Sequence, residues 1–135
     1  MDTLQCAIVL AKLGRFEWEA ERRIEIGQRY NDLIDELGMA RILQRSDRTS
    51  AFAQYTVFVD DRAALQDKLK EAGIPTAVHY PVPLNAQPAY KHLCCPDCTP
   101  FAANAAARVM SLPMHPDLSH SQQLSIVSTL AIVTK

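Results

Sequence analysis

The sequence predicts an α+β domain in which a small, mainly antiparallel sheet is covered by helices and preceded by long helices. Three observations support this fold class. The chain has 135 residues, 48% hydrophobic and 21% charged, which suits one globular domain with its own core. Stretches near the N-terminus repeat apolar residues at helical spacing. Two short stretches in the middle are rich in aromatic and β-branched residues, as strands are.

Two helices are expected at the N-terminus. Asp2 and Gln5 form a capping-box-like pair that begins the first helix, and Gly14 weakens the far end of this helix. The second helix is expected over about residues 15–37, where apolar residues recur every three or four positions. Gly38 follows at the position where glycine commonly ends a helix.

The middle of the chain predicts strands separated by one helix. Residues 52–59 are aromatic and β-branched, and residues 76–80 form a similar stretch between two prolines. Asp60 is expected to cap the helix between these strands, and Gly73 to end it. Residues 42–43 predict a third, very short strand.

The last third predicts a long loop followed by helices. Prolines prevent regular structure in residues 81–100, and loops of this length are commonly functional or mobile. Residues 101–110 are alanine-rich and predict a helix, and residues 111–116 predict an extended link. Ser119 begins a capping box that opens a final helix, which runs to about Val133.

The charge and hydropathy pattern argues against several classes of protein. The net charge is -1 and the pI is near 6.4, so nothing favours binding to nucleic acid or to an anionic membrane. No run of apolar residues is long enough for a transmembrane helix. An acidic residue near the N-terminus stands where a signal peptide carries basic residues. A cytoplasmic protein is therefore expected.

His79 and Tyr80 are the first candidate site residues. They end a predicted strand and enter the proline-rich loop, and strand ends are where sheet proteins place ligand-binding groups. A histidine donates or accepts hydrogen bonds near neutral pH, and a tyrosine adds a hydroxyl to a flat apolar ring, so both suit a polyhydroxylated ligand. Strand alternation sends them to opposite faces unless Pro81 bends the chain. The alternative is a half-buried histidine beside a strand aromatic.

The second candidate is the cysteine cluster in the long loop. Cys95 and Cys98 have the spacing of a zinc knuckle, and His92 could be a third ligand, but no second pair follows. The alternative is a surface loop that contains thiols. A disulfide from Cys94 or Cys95 to Cys98 is expected only under oxidation, and the cysteine spacing suits a reducing compartment.

No complete catalytic constellation is visible in the sequence. The chain lacks a Gly-x-Ser-x-Gly nucleophile elbow and a phosphate-binding glycine loop. A lysine that forms a Schiff base needs a pocket that lowers its pKa, and the surrounding sequence indicates no such pocket. This applies to each of the lysines, which are Lys12, Lys68, Lys70, Lys91 and Lys135.

Three segments together resemble the DegT/DnrJ/StrS-type sugar aminotransferases. They are MDTLQCAIVL at residues 1–10, GIPTAVHYPVPL at residues 73–84 and SLPMHP at residues 111–116. Their order and spacing agree with that family over essentially the whole chain. Within the family, the likeness is greatest to enzymes that aminate 3-keto sugar nucleotides of the uronic acid type during surface-polysaccharide synthesis.

The resemblance implies a fold-type I aminotransferase that forms homodimers. In such enzymes a large domain binds pyridoxal phosphate (PLP), a small C-terminal domain closes the site, and glutamate commonly donates the amino group to the sugar nucleotide. Residues 1–38 then correspond to a helical inter-domain connection, and residues 39–135 to the small α+β domain. Met1 matches a residue inside the family's chain, so the large PLP-binding domain with its lysine is expected to be absent here. PLP binding, metal binding and independent activity are therefore not expected of this chain.

The resemblance assigns His79 and Tyr80 to binding of the sugar-nucleotide substrate. It assigns nothing to the cysteines, which match no family feature. It also implies that the first helix packs on the missing domain, so an apolar strip with Leu4 and Ile8 is expected to be exposed and to self-associate. The alternative function is a freestanding ligand-binding or regulatory α+β module, with zinc at the cysteine loop.

Overall fold

The computed structural model describes residues 2–95 and 97–134, which form five α-helices and a two-stranded antiparallel sheet. Met1, Pro96 and Lys135 lie outside the described residues, and so do the expectations that fell on Met1 and Lys135. The predicted fold class, a small antiparallel sheet covered by helices, is confirmed. In the part of the chain that the structure describes, no helix combines the length and apolar character that crossing a membrane requires.

The N-terminal helices begin and end close to the predicted positions. Helix α1 spans Thr3–Leu13, and α2 spans Phe16–Glu36. The predicted capping box is present, since the backbone N–H of Gln5 donates to Asp2 Oδ1 at 2.8 Å. Gly38 has a φ of 66°, the left-handed conformation in which glycine ends a helix without a steric penalty.

The middle of the chain forms strand β1, Tyr55–Phe58, and helix α3, Arg62–Glu71. The predicted strand over 52–59 was therefore too long at both ends. The prediction that Asp60 caps α3 was wrong by one residue, because Asp61 accepts the hydrogen bond from the backbone N–H of Ala64 at 3.2 Å.

The last third holds a 3-10 turn at Leu84–Ala86, helix α4 at Pro100–Arg108, strand β2 at Val109–Leu112 and helix α5 at His120–Val133. The predicted helix over 101–110 ended too late, and the link predicted over 111–116 begins with two residues of β2. The reason is tertiary, since all four residues of β2 are buried where they pair with β1.

On each side of the two-stranded sheet, one further segment of the chain pairs with it through a single residue. Tyr55 pairs with Leu112 at one end of the β1–β2 ladder. Beyond β1, Arg41 bridges to Val57, and beyond β2, Ala77 bridges to Ser111. The strand predicted near 42–43 is replaced by a single bridge at Arg41, and the strand predicted over 76–80 is reduced to a single bridge at Ala77. The bridge at residue 77 is nevertheless firm, since Ala77 and Ser111 exchange backbone hydrogen bonds of 3.1 and 2.8 Å.

The hydrophobic core lies between the sheet and helices α2, α3 and α5. Tyr30 is fully buried, stacks on Tyr55 at 4.7 Å between ring centroids, and donates its hydroxyl to the Pro113 carbonyl at 3.1 Å. Burial raises the pKa of both phenols above the usual range. The buried side chain of Gln123 donates to the Ile26 carbonyl at 2.8 Å, so α5 is joined to α2 by a satisfied polar contact.

The apolar residues of α1 are exposed. Helix α1 buries no residue, and its apolar side chains include Leu4 at 72% and Ile8 at 53% exposure. The predicted exposure of this strip is confirmed, while its self-association remains a prediction. The exposed apolar surface continues into the start of α2 with Phe16 and Trp18, whereas Ile26, Tyr30 and Ile34 further along α2 belong to the core.

Candidate functional site

His79 and Tyr80 lie just after the Ala77 bridge, at the edge of a cleft. The bridge from Ala77 to β2 fixes the backbone two residues before His79, so the sheet positions the segment that carries this pair. Both side chains are exposed, Tyr80 to 77%, and their ring centroids are 6.2 Å apart in an edge-on arrangement. Both rings line the same cleft, rather than pointing to opposite faces as strand alternation predicts.

The cleft has a volume of about 860 Å³, within the usual range for small-molecule sites. The proline-rich loop forms one wall, and helix α4 forms the other. Its apolar lining consists of Val82, Pro83, Leu84, Leu93, Ala102, Ala105, Ala106 and Val109. Its polar lining consists of His79, Tyr80, Asn85, Gln87, Tyr90, Cys94 and Thr99.

Local contacts hold the two walls in place. Gln87 donates its side-chain amide to the Val82 carbonyl at 3.3 Å, which closes the proline-rich loop upon itself. On the other wall, Arg62 Nη1 donates to the carbonyls of Ala106 and Val109, where α4 passes into β2. The guanidinium of α3 therefore satisfies carbonyl oxygens at the end of α4 and ties that end to the domain.

The polar side chains that line the cleft are hydrogen-bonding groups. Its described lining carries imidazole, phenol, amide and hydroxyl groups but no lysine, arginine or carboxylate side chain. Such groups donate and accept hydrogen bonds, and the aromatic rings offer flat apolar surfaces. This combination fits the hydroxyl groups and the apolar face of a sugar ring.

Sequence reasoning missed most of the cleft. It identified His79 and Tyr80 and the loop that follows them, but not Tyr90 or the alanines of α4. One signal was available, because Ala102, Ala105 and Ala106 have the spacing that puts residues on one helix face, and small side chains there leave space beside the helix.

The cysteine cluster lies on the rim of this cleft. Cys95 and Cys98 form a disulfide with a Cα–Cα distance of 5.6 Å, one of the two pairings that the sequence left open. Cys94 is free and exposed, and Cys6 is free and half-buried. Across residues 2–95 and 97–134, no group of three or more histidine, cysteine or acidic side chains is placed to hold a metal ion. The zinc site considered for this loop therefore has no geometric support in those residues.

Comparison with known families identifies the chain. The model of the DegT/DnrJ/EryC1/StrS aminotransferase family matches residues 1–131. The chain belongs to the DegT/DnrJ/EryC1/StrS aminotransferase family. The resemblance noted from the three sequence segments is thereby confirmed.

Individual family members show how much of a relative this chain represents. It is 45% identical over 118 residues to the UDP-2-acetamido-2-deoxy-3-oxo-D-glucuronate aminotransferase of Pseudomonas aeruginosa, covering 87% of this chain and 32% of that protein. It is 34% identical over 135 residues to a pleiotropic regulatory protein of Geobacillus stearothermophilus, covering 97% of this chain and 36% of that protein. The chain thus spans about a third of the length of these relatives.

Solved structures in the family share the fold closely. A DegT DnrJ EryC1 StrS aminotransferase from Brucella abortus superimposes with a TM-score of 0.90 at 35% identity, over 99% of this chain and 36% of that one. DesV of S. venezuelae, solved in complex with a ketimine intermediate, superimposes with a TM-score of 0.91 at 28% identity, over 100% of this chain and 37% of that one. The small α+β arrangement is therefore a recurring part of larger aminotransferases.

The described residues do not fit a PLP site. PLP enzymes hold the cofactor through a lysine, with an acidic or basic partner at the pyridine nitrogen. No lysine lines the cleft, and Lys12, Lys68, Lys70 and Lys91 are all exposed. Lys68 instead donates to the Val133 carbonyl at 3.3 Å. No chemical step through PLP is therefore assigned to the residues of this chain.

Proposed function

We propose that this chain is the C-terminal, substrate-binding part of a PLP-dependent aminotransferase that transfers an amino group from glutamate to a keto sugar nucleotide. Two observations support this proposal. A family member with 45% identity is named as an aminotransferase of UDP-2-acetamido-2-deoxy-3-oxo-D-glucuronate. In this chain, His79 and Tyr80 line a cleft suited to a sugar. The substrate class is accordingly a 3-keto sugar nucleotide of the uronic acid type.

In this proposal, His79 and Tyr80 bind and orient the sugar. Both side chains line the cleft and are exposed, and each carries polar atoms that can exchange hydrogen bonds with sugar hydroxyls. The apolar wall that includes Leu84 and Leu93 packs against the ligand and displaces water from it. PLP, held by residues outside this chain, supplies the amino-transfer chemistry.

The remaining parts of the proposal concern the assembly. Residues 1–38 would connect this part to a PLP-binding domain, and residues 39–135 would form the small domain. The exposed apolar side chains of α1 support this division, because a helix with no buried residue needs a partner surface elsewhere. A homodimer, a cytoplasmic location and a role in surface-polysaccharide synthesis belong to the same proposal and rest on the family resemblance.

A chimera tests the proposed function. The matching segment of the Pseudomonas aeruginosa aminotransferase is replaced by this chain, and amination of UDP-2-acetamido-2-deoxy-3-oxo-D-glucuronate by glutamate is measured beside the parent enzyme and this chain alone. We expect product from the chimera and none from this chain alone. A chimera that binds PLP and folds but does not aminate the sugar would contradict the substrate assignment. Turnover by this chain alone would contradict the assignment of the cofactor site to other residues.

Substitutions in the chimera test the two site residues. His79→Gln and Tyr80→Phe each remove one hydrogen-bonding group and keep most of the side-chain volume. Because one hydrogen bond contributes about 0.5–1.5 kcal/mol, KM for the sugar nucleotide is expected to rise roughly 2- to 10-fold. His120→Gln is the matched control, since His120 is exposed at the start of α5 and does not line the cleft. Unchanged KM in both site variants would refute their role.

A further inference from the structure

The disulfide closes a short loop where the backbone passes from one wall of the cleft to the other. Leu93 and Cys94 line the wall formed by the proline-rich loop, and Thr99 lines the opposite wall. Thr99 is also the N-cap residue of α4, whose alanines line the same wall. The bond from Cys95 to Cys98 therefore connects the residue after Cys94 to the residue before Thr99.

Few other contacts fix this end of the proline-rich loop. The backbone hydrogen bonds of this stretch are local, from Tyr90 and Lys91 to the Gln87 carbonyl and from Leu93 to the Tyr90 carbonyl, at 2.8–2.9 Å. In the described structure, no hydrogen bond joins residues 88–95 to α4. The position of Leu93 and Cys94 relative to α4 is accordingly set by the short connecting backbone, by the disulfide that closes it and by side-chain packing.

We propose that Cys95 and Cys98 form a reversible thiol–disulfide site that controls the shape of the cleft. Both cysteines are exposed, so a small reagent reaches them from solvent. The co-substrate is a low-molecular-weight disulfide of the glutathione type. This role goes beyond the proposed aminotransferase function, which assigns nothing to the cysteines.

The exchange proceeds in two steps that balance. The thiolate of one cysteine attacks a sulfur of the small disulfide, which forms a mixed disulfide and releases one small thiol. The thiolate of the second cysteine then attacks the protein sulfur of that bond and releases the second small thiol. The two cysteines lose two electrons and two protons, and the small disulfide is reduced to two thiols. A small dithiol reverses the reaction.

The oxidised form holds the cleft ready for a ligand. With the bond formed, Leu93 and Cys94 stay beside Thr99, and a ligand does not have to order this wall when it binds. With the bond reduced, only the backbone between Cys95 and Cys98 connects this wall to α4, and the Cα atoms of these residues are no longer held 5.6 Å apart. Ligand affinity is therefore expected to be roughly 3- to 10-fold weaker in the reduced protein.

The chemical half of the proposal is tested on this chain in buffers of varied oxidised and reduced glutathione. Free thiols are alkylated and counted by mass spectrometry, and peptide mapping identifies the bonded pair. We expect Cys95 and Cys98 to lose reactivity together and to regain it with dithiothreitol. Cys6→Ser and Cys94→Ser are the controls that keep the pair, and Cys95→Ser removes it. A pair that never forms, or one that joins Cys94 to Cys98, would overturn the assignment.

The structural half is read from backbone amide resonances of the same chain labelled with 15N. Oxidation should shift the amides of Leu93, Thr99 and Ala102 and leave that of Leu130 in the core unchanged, and Cys95→Ser should abolish the response. An oxidised pair with unshifted cleft amides would refute control of the cleft.

Titration of the oxidised and reduced chimera with UDP-N-acetylglucosamine separates this inference from the proposed function, because the chimera contains both parts of the proposed site. Tighter binding of this probe to the oxidised form supports both. Redox-dependent cleft amides without any binding of the probe support the thiol–disulfide site and count against the sugar-nucleotide assignment. Equal binding by the oxidised and reduced forms would overturn the expected change in affinity.

Discussion

The contact between Gly27 and Phe52 makes a quantitative prediction about stability. Gly27 is buried in α2, and a Cβ placed on it would lie 2.6 Å from Cδ1 of the Phe52 ring, closer than real Cβ contacts come. The Gly27→Ala variant must therefore push the ring away. The backbone of Phe52 is held, because Arg23 donates to its carbonyl at 3.2 Å and its own N–H donates to Ser50 Oγ at 3.1 Å, so the ring must yield by rotating about its side-chain bonds.

The expected cost follows from overpacking. Adding atoms to a packed site costs about 1–3 kcal/mol, and displacing a partly buried aromatic ring from the core adds to that. We expect Gly27→Ala to lower the free energy of unfolding by about 3 kcal/mol and Tm by roughly 10 °C. Urea unfolding followed by circular dichroism, together with thermal scans, measures both quantities.

Two further variants test whether the clash with the Phe52 ring causes the loss of stability. Gly14→Ala is the matched control, because a Cβ at Gly14 meets no atom within 4 Å and its φ of -63° suits alanine, so stability should stay equal or rise by about 0.5–1 kcal/mol. In a Phe52→Ala background, Gly27→Ala should cost much less than in the natural sequence, because the clashing ring is gone. The reasoning is refuted if Gly27→Ala is as mild as Gly14→Ala, or if its cost is the same in both backgrounds.

Two more predictions concern charge and the exposed helix. The hydrogen bond from Arg41 to Asp35, at 2.8 Å, lowers the pKa of the Asp35 carboxyl from its ordinary value of 3.8. The ion pair therefore stabilises the fold fully well above pH 3.8, and this stabilisation is lost as the pH falls through the lowered pKa of the folded protein. The stability gap between the natural protein and Asp35→Asn should therefore be larger at pH 7 than at pH 2.5, as measured by urea unfolding, and an unchanged gap would contradict the pairing. The exposed side chains of α1 should promote self-association, so replacing both Leu4 and Ile8 by lysine should shift sedimentation at high concentration toward the monomer without lowering Tm, because neither is buried. A natural chain that stays strictly monomeric would count against this expectation.

The helix ends were predictable because their signals are local. Asp2 and Ser119 form capping boxes in the structure with residues three positions ahead, and Gly38 and Gly73 both adopt positive φ where a helix ends. Each of these features depends on a few neighbouring residues, so the sequence contains the whole interaction. The helices accordingly begin and end within about two residues of the expected positions.

The strands were less predictable because their partners are distant. Residues 76–80 have the composition of a strand, yet only Ala77 pairs, because a strand forms only where a partner strand pairs with it, whatever its local composition. Val109 and Met110 continue the apolar pattern of α4, and their pairing with Phe58 and Val57 converts them to strand. Contacts across more than 50 positions in sequence thus override local preference.

The cleft depends on the same kind of distant contact. His79 and Tyr80 were identifiable from their segment, but the opposite wall comes from α4, which Arg62 of α3 fixes at its C-terminal end. The alanines of that wall have no functional group, and their contribution is the space that they leave. No property of an isolated alanine indicates such a role; only the spacing of several alanines on one helix face hints at it, and the packed structure shows which element the space faces.

The charges of the proposed substrate indicate which of its groups this chain would contact in the whole enzyme. A sugar nucleotide carries negative charge on its diphosphate, and a uronic acid adds a carboxylate. Burying such charges without cationic partners is costly, and the described lining of the cleft contains no lysine or arginine. Under the proposed function, this chain therefore contacts the uncharged parts of the substrate through His79, Tyr80 and the apolar wall. The cations and the PLP site would then come from the remaining two-thirds of an enzyme of the relatives' length, so the complete site exists only when both parts are assembled.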